Sequence, residues 1–528
     1  MRKGDIIEGV VESLRFPNKG VFHDGDTEVV VKNTIPGQHV SARITKKRSG
    51  RAEGNLLEIL EPAPNEIQPA CPKFGTCGGC LYLNLPEQEE LSLKEAQIRS
   101  LLKDADPEAD SWFEGILESP VTEGYRNKME LTFGDETKDG PMTLGMHRRG
   151  SFYDVTDADQ CRIVDADFRS IIHATREYWS AAGVPFYHRM RQQGYLRHLL
   201  IRKGMKTGEI LVDLVTTTQM PGTMQDEKTL LDGWVKDLLA QAYEGNIAGI
   251  LHTHNDSVAD IVADQGTDVL YGKDSFEEEL LGLQFTVSPF SFFQTNSYGA
   301  ELLYETARKM IAEGMEAEQK CASDREDITL TSENNNCEED RNAAGMAAAE
   351  DDVQAGTGAG DRKPVIFDLY CGTGTISQLI APVASKVIGV EIVEEAVEAA
   401  RENAIRNNTP NCEFIAGDVL KVIDTIEEKP DFIILDPPRD GVHPKALPKI
   451  LRYGVQHILY ISCKPTSLAR DLPIMREAGY IPVRGISVNQ FPKTANVETV
   501  VLLSREKDAV LNAENWENSD KISVSLDT

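Results

Sequence analysis

Val365-Ile366-Phe367-Asp368-Leu369-Tyr370-Cys371-Gly372-Thr373-Gly374-Thr375 is the stretch on which the fold of this chain turns. An apolar run of strand length enters a glycine turn, and Ser377 to Ala384 continues with helical character. Glycine there lets the backbone approach a ligand closely. A nicotinamide or ATP site is the rival reading of such a turn. The dinucleotide fingerprint needs a third glycine where this chain has Ser377, and the Gly-Lys-Ser/Thr of a phosphate loop is missing. Further along, Val387-Ile388-Gly389-Val390-Glu391 reads as a second strand ending in an acid suited to ribose hydroxyls. A helical stretch follows, Glu394 to Asn407, and then Phe414-Ile415-Ala416-Gly417-Asp418. Phe432 to Leu435 runs into Asp436-Pro437-Pro438-Arg439, Val455 to Ile461 into Ser462-Cys463-Lys464-Pro465, and Glu498 opens the run Thr499 to Leu503. Strands alternating with helices predict a doubly wound α/β domain, which binds ligands where its strands end. A thiol and two carboxylates, Cys463, Asp436 and Glu498, are expected at that edge.

Tyr370, Gly372 and Thr375 of the turn, with Glu391, Asp418 and Asp436, resemble the S-adenosylmethionine site of a Rossmann-like methyltransferase domain. The chain as a whole resembles the RNA uracil-5-methyltransferase family, in particular its 23S ribosomal-RNA branch with an N-terminal TRAM domain and a [4Fe-4S] cluster. Four signatures carry the likeness: Phe292-Phe293-Gln294-Thr295-Asn296, Asp368-Leu369-Tyr370-Cys371-Gly372, Asp436-Pro437-Pro438-Arg439, and Ser462-Cys463-Lys464-Pro465 with Glu498. It covers residues 1 to about 504 apart from an insert. The resemblance implies that Gln294 contacts the cofactor and that Phe292 places a ring beside a flipped base. It also implies that Arg126, in Tyr125-Arg126-Asn127-Lys128-Met129-Glu130-Leu131, lies near the substrate.

The chemistry asks for the same residue types. Carbon 5 of uracil is a poor nucleophile toward a methylsulfonium, so a thiolate must first add at carbon 6, splitting one difficult step into two easier ones. Cys463 is the candidate nucleophile. Carbon 5 must then lose its proton before the thiol leaves, and Glu498 is the candidate base. Asp436 would orient the uracil edge or the cysteine loop. A free thiol of pKa ~8.5 is only a few per cent ionised at neutral pH, so the site is expected to lower that value. Lys464 and Arg439 are the possible helpers. Cys371 and Cys412 read as small buried hydrophobes.

A second constellation is Cys71-Pro72-Lys73-Phe74-Gly75-Thr76-Cys77-Gly78-Gly79-Cys80, with Cys161 downstream. Three thiols within ten residues, separated by glycines, have ligand spacing, and both zinc and a four-iron cluster accept four thiolates. The resemblance implies a [4Fe-4S] cluster on Cys71, Cys77, Cys80 and Cys161, in a structural or RNA-contacting role.

Residues 1–62 show short β-rich segments with turn signals at Asp24-Gly25-Asp26 and Pro36-Gly37. They fit a small OB-like barrel, the TRAM domain of the resemblance, with Lys46-Lys47-Arg48 and Arg51 as its basic cluster. Residues 63–285 read as a central α+β iron-sulfur and RNA-binding region, and 286–504 as the methyltransferase domain. Net charge is -30, a poor match for a nucleic-acid enzyme unless it is localised. Residues 313–362 hold 14 acidic and 4 basic side chains and little apolar periodicity, so they are expected to form a disordered insert. Residues 505–528 read as a mobile tail. Cys321 and Cys337 fall in the insert without an assigned role. Nine cysteines, several of them committed to a cluster and a thiolate, fit a reducing compartment. No charged-then-apolar leader or long apolar span is present, so a cytoplasmic monomer acting on RNA, away from membranes, is expected. The sequence thus points to 5-methylation of a flipped uridine in 23S ribosomal RNA. The alternatives are the same reaction on transfer RNA, methylation of cytosine, and a silent iron-sulfur RNA-binding protein.

Overall fold

The computed structural model describes residues 1–259, 261–333 and 363–506. The remainder of the expected insert and the tail beyond residue 506 lie outside the described residues.

The C-terminal sheet is built from eight strands: β1 (Phe113–Leu117), β2 (Val365–Leu369), β3 (Lys386–Glu391), β4 (Cys412–Ala416), β5 (Phe432–Leu435), β6 (His457–Ser462), β7 (Tyr480–Val488) and β8 (Glu498–Arg505). Their order is β4-β3-β2-β5-β6-β8-β7-β1. The first five in that order run parallel, and β8 is antiparallel to both neighbours. Order reverses between β2 and its partners β3 and β5, so the glycine turn after β2 stands at the topological switch point, where doubly wound sheets bind ligands.

The strands read as continuous apolar runs because both faces are covered. Phe367, Leu369, Ile433, Leu435, Ile458 and Tyr460 face one core, shared with Ile98 and Leu102 of α1 (Glu87–Ala105) and with Leu468 and Met475 of α5 (Pro465–Glu477). Ile366, Phe432, Ile434, Leu459 and Ile461 face the other. That second core takes Leu303 and Ala307 from α2 (Ser297–Glu333) and Ile376 and Leu379 from α3 (Thr375–Ile380). A fifth helix, α4 (Glu394–Arg406), leads from β3 toward β4.

Two boundaries differ from the sequence reading. Residues 87–117, assigned to the central region, pack on the C-terminal domain, where β1 extends the sheet edge beside β7. Ion pairs Asp106–Arg476 and Glu114–Arg484 fasten the same segment. The hairpin Phe276–Leu280/Leu283–Val287 also joins the second core of that sheet, through Phe276, Leu280 and Phe285. In addition, α2 runs on to Glu333, so residues 313–333, expected to be structureless, are helical; helix-forming Glu, Ala, Met, Gln and Lys at 313–320 supply the propensity that charge counting overlooked.

The central region is a seven-stranded sheet covered by the helices Ala166–Ala182 and Met224–Ala240 around Trp179 and Trp234. At the N-terminus, Ile6–Val10 pairs with His39–Arg48 while Ser13–Arg15, its continuation, pairs with Lys19–Asp24. One bent strand thereby touches both ends of the small sheet and closes it around Phe22, Val29, Val31, Val40 and Ile44. Among the described residues no helix is long and apolar enough to cross a membrane.

Candidate active site

Strand register assembles the site. Ser462 of β6 pairs with Thr499 of β8. The next residues along, Cys463 and Glu498, therefore face each other across the end of an antiparallel pair. Leu369 of β2 pairs with Leu435 of β5, which sets Tyr370 level with Asp436; the Asp436 amide donates to the Leu369 carbonyl at 3.4 Å. Thiol, two carboxylates and glycine turn thus share one edge.

Glu498 is 3% exposed. Burial raises its carboxyl from 4.5 to about 8, opposed by the Arg439 guanidinium. The Asp436 carboxyl is held well above the usual range, by burial first and then by repulsion from Glu498 and Asp368. The Cys463 thiol is pushed up to about 12 by burial, then by Glu498 and Asp436, with Arg439 pulling the other way. The expected lowering is therefore not what this structure displays: two carboxyls flank the thiol and a single cation counters them. Of the two possible helpers Arg439 is the one whose charge reaches Cys463 and Glu498. Lys464 instead lies 3.9 Å from Asp440. Ser467 Oγ donates to the Arg439 carbonyl at 2.7 Å, tying the Asp-Pro-Pro-Arg loop to α5.

Around the turn, Tyr370, Gly372 and Gly374 all have positive φ, of 73°, 54° and 72°. A Cβ on Gly374 would meet the Phe414 ring at 2.6 Å, so only glycine fits. Asp368, fully buried, accepts from Ser377 Oγ at 2.5 Å, and burial raises its carboxyl to about 6. The Gly372 amide donates to Glu391 at 3.1 Å, and Glu391 also accepts from the amides of Ile392 and Val393. Asp418 caps a short helix through the Leu420 amide; burial first, and then Asp418, push the Tyr370 hydroxyl up to about 12. Thr375 opens α3, its side chain buried near Thr373.

Gln294 is buried, and its carbonyl accepts from Asn127 of the central region at 3.0 Å. Asn296 caps α2 through the Gly299 amide and donates to the Gln490 carbonyl at 2.8 Å. The Phe-Gln-Thr-Asn segment is thus pinned on both sides. Sequence reasoning missed Tyr304: it lies buried on α2, and burial first, then Asp436 and Glu498, hold its hydroxyl against ionisation, with Gln294 acting the other way. The signal was a lone hydroxyl in the apolar stripe Ala300-Leu303-Ala307-Ile311. Phe292 is 67% exposed, its ring 3.8 Å from a Cβ built on Gly372, so it stands over the glycine turn. Arg126 is not among these groups. Its Nε donates to the Lys128 carbonyl at 2.9 Å and it lines the cysteine pocket.

That pocket, about 420 Å³, is lined by Cys71, Cys77, Cys80 and Cys161 and reaches Thr295, Thr494 and Asn496, the last two residues from Glu498. Burial raises the thiols of Cys77, Cys80 and Cys161, and the four act on one another electrostatically. Arg149 donates to the Cys80 carbonyl at 2.6 Å. Cys371 is buried with Val397 and Phe414, as read from sequence.

The described architecture coincides with that of proteins of known kind. Residues 355–506 match the family model described as tRNA (Uracil-5-)-methyltransferase. A protein of Clostridium tetani named Uncharacterized RNA methyltransferase is 43% identical, over 96% of this chain and 99% of its own. One of the same description from Caldanaerobacter subterraneus subsp. tengcongensis is 41% identical, over 96% and 100%. The chain belongs to the RNA uracil-5-methyltransferase family. The fold is shared with the crystal structure of Pyrococcus abyssi tRNA (uracil-54, C5)-methyltransferase in complex with S-adenosyl-L-homocysteine, at a TM-score of 0.66 and 22% identity, covering 94% of this chain and 100% of that one.

Proposed function

We propose that this protein methylates carbon 5 of a uridine in 23S ribosomal RNA through a covalent adduct on Cys463. The register-imposed opposition of Cys463 and Glu498, beside the glycine turn, carries the reading. S-adenosylmethionine supplies an electrophilic methyl group; Glu391, Asp418, Gly372, Tyr370, Thr375 and Gln294 would hold it. The uridine flips out of its RNA at a cost of a few kcal/mol of unstacking. The Cys463 thiolate bonds to carbon 6, and the electron pair of the 5,6 double bond moves to carbon 5 and the carbonyl at carbon 4. Once carbon 5 bears the methyl group, Glu498 takes its remaining proton. The pair left behind reforms the double bond and expels the Cys463 sulfur. A carboxyl raised to about 8 is a stronger base, once ionised, than an ordinary one, which suits removal of a proton from carbon. While Glu498 holds a proton, its repulsion of the thiolate is lifted; that proton passes to solvent before Glu498 takes the one on carbon 5. Asp436, between turn and thiol, orients the base edge, and Phe292 stands at the lip where a base enters.

The four-cysteine pocket fits a [4Fe-4S] cluster. Four thiolates suit either zinc or a four-iron cluster, and the resemblance to the family selects the cluster. The cluster would tie the loop 71–80 to Cys161 without an electron-transfer role. By resemblance alone, a TRAM-like barrel together with this cysteine set points to ribosomal RNA, and the protein would act as a cytoplasmic monomer. A second reading, transfer RNA, is favoured by the description of the matching family model.

The test supplies methyl-labelled S-adenosylmethionine with unmodified 23S and transfer RNA to the wild type, Cys463→Ala and Glu498→Gln. Label in 5-methyluridine of 23S RNA, lost in Cys463→Ala and retained as a protein–RNA adduct in Glu498→Gln, is expected. Label confined to transfer RNA shifts the substrate to the second reading. No transfer to either refutes both.

A further inference from the structure

We propose that a groove on the central region, next to the cysteine loop, binds unpaired nucleotides flanking the target. The groove, about 460 Å³, lies between the end of the strand Lys128–Asp135, the turn Arg148–Asp154 and the loop Phe186–Tyr195. That size is in the range of small-ligand clefts. Its rim exposes Phe152 (77%), Met190 (74%) and Tyr153 (57%) to solvent, a concentration of apolar surface that a chain carrying -30 has no folding reason to keep. Within it, the Phe186 and His188 rings lie 5.2 Å apart, and the Tyr187 ring is covered by the Arg197 guanidinium at 4.6 Å.

Charge selects the occupant. Lys138, Arg189, Arg191 and Arg197 line the groove against Asp135 and Asp154, with Asp139 3.7 Å from Arg191, so it keeps a small positive excess in a strongly negative protein. Arg197 is spent on the carbonyls of Asn255, Ser257 and Ala259 and serves to hold the wall. Arginines and lysine around exposed aromatic rings are the combination that holds single strands, phosphates on the cations and bases on the rings. A duplex is read instead across its minor groove by shape, for which a concave, ring-lined pocket is unsuited.

Position ties the groove to the active site. The cysteine loop abuts its rim: Cys77 bridges Arg148, the Gly78 amide donates to the His147 carbonyl at 3.1 Å, and the Arg149 amide donates to the Thr76 carbonyl at 2.7 Å. The cysteine pocket continues to Asn496, two residues from Glu498. A strand leaving the active site therefore reaches the groove over the cysteine pocket. The inference rests on RNA as the substrate and adds where its flanking stretch sits.

Fluorescence anisotropy with labelled oligouridylate and the full chain tests it. Phe152→Ala/Tyr153→Ala should weaken binding by about 5- to 150-fold per stacked base with the salt slope kept. Arg191→Glu should weaken binding and make the dependence on salt shallower. Both sites are exposed, so thermal melting should be unchanged. Wild-type affinity in both variants, no oligouridylate binding by the wild type, or a dimer that the aromatic substitutions dissociate would each overturn the proposal, the last assigning the face to a second copy of this chain. Methyl transfer is read in parallel with Cys463→Ala. Groove binding without transfer by the wild type sinks the proposed reaction and leaves the groove; transfer with unaltered binding in the variants sinks the groove alone.

Discussion

Glu498→Gln separates the two duties assigned to that carboxyl. Folding moves it from 4.5 to about 8, so between those values the folded chain holds a proton that the unfolded chain releases. Stability from this group is therefore greatest at low pH and is lost as pH rises through 8. At ~1.36 kcal/mol per pH unit, the two units from pH 6 to pH 8 amount to about 2.7 kcal/mol. Glutamine has no such proton, so the variant gains on the wild type by up to that amount across the window; taking the difference cancels most other titrations. Urea unfolding of both proteins at pH 6, 7 and 8 measures it. Catalytically the same change leaves no base for carbon 5, so turnover falls by at least about 100-fold while a methylated adduct accumulates on Cys463. A wild-type-to-variant gap that is flat with pH would refute the buried-carboxyl argument. Adduct turnover at the wild-type rate would refute the assignment of the base.

Three further outcomes are expected. Cys161→Ser, reconstituted anaerobically with iron and sulfide, should lose the visible absorbance of the wild type and bind fewer than four irons; an unchanged iron content would remove Cys161 from the ligand set. Gly374→Ala places a Cβ at 2.6 Å from the Phe414 ring at a φ of 72° and should cost about 1–3 kcal/mol, with S-adenosylhomocysteine affinity by calorimetry falling in parallel; a wild-type binding constant contradicts the tight turn. Ser377→Ala removes the 2.5 Å donor to Asp368 Oδ2, and Oδ1 has no hydrogen-bond partner. The Asp368 carboxyl, raised to about 6 by burial, then ionises at still higher pH, so a loss of about 1–3 kcal/mol should be seen above pH 6 and shrink below it; equal losses at pH 5 and pH 8 would contradict this.

The catalytic sheet was legible because its strands are apolar on both faces and each ends in a polar signature, so Tyr370, Asp436 and Cys463 could be set on one edge from local pattern alone. The pairing of Cys463 with Glu498 needed register, which apolar runs do not encode. The segment 87–117 was misassigned because nothing in Phe113-Glu114-Gly115-Ile116-Leu117 names a partner more than 360 residues away. Tyr304 was hidden in a helix stripe that reads as core. The lowered thiol pKa was expected from chemistry, whereas the surroundings of Cys463 are set by two carboxyls arriving from separate strands.

The edge strand Phe113–Leu117 also dictates a timetable. During synthesis it emerges well before Tyr480–Val488, against which it finally pairs. At 5–20 residues per second its unpaired edge and the apolar face of Glu87–Ala105 wait roughly 20–70 s for the rest of the sheet. The sheet therefore matures only after β7 and β8 have been made, and the interval before β7 arrives is when a nascent chain is most exposed to misassembly.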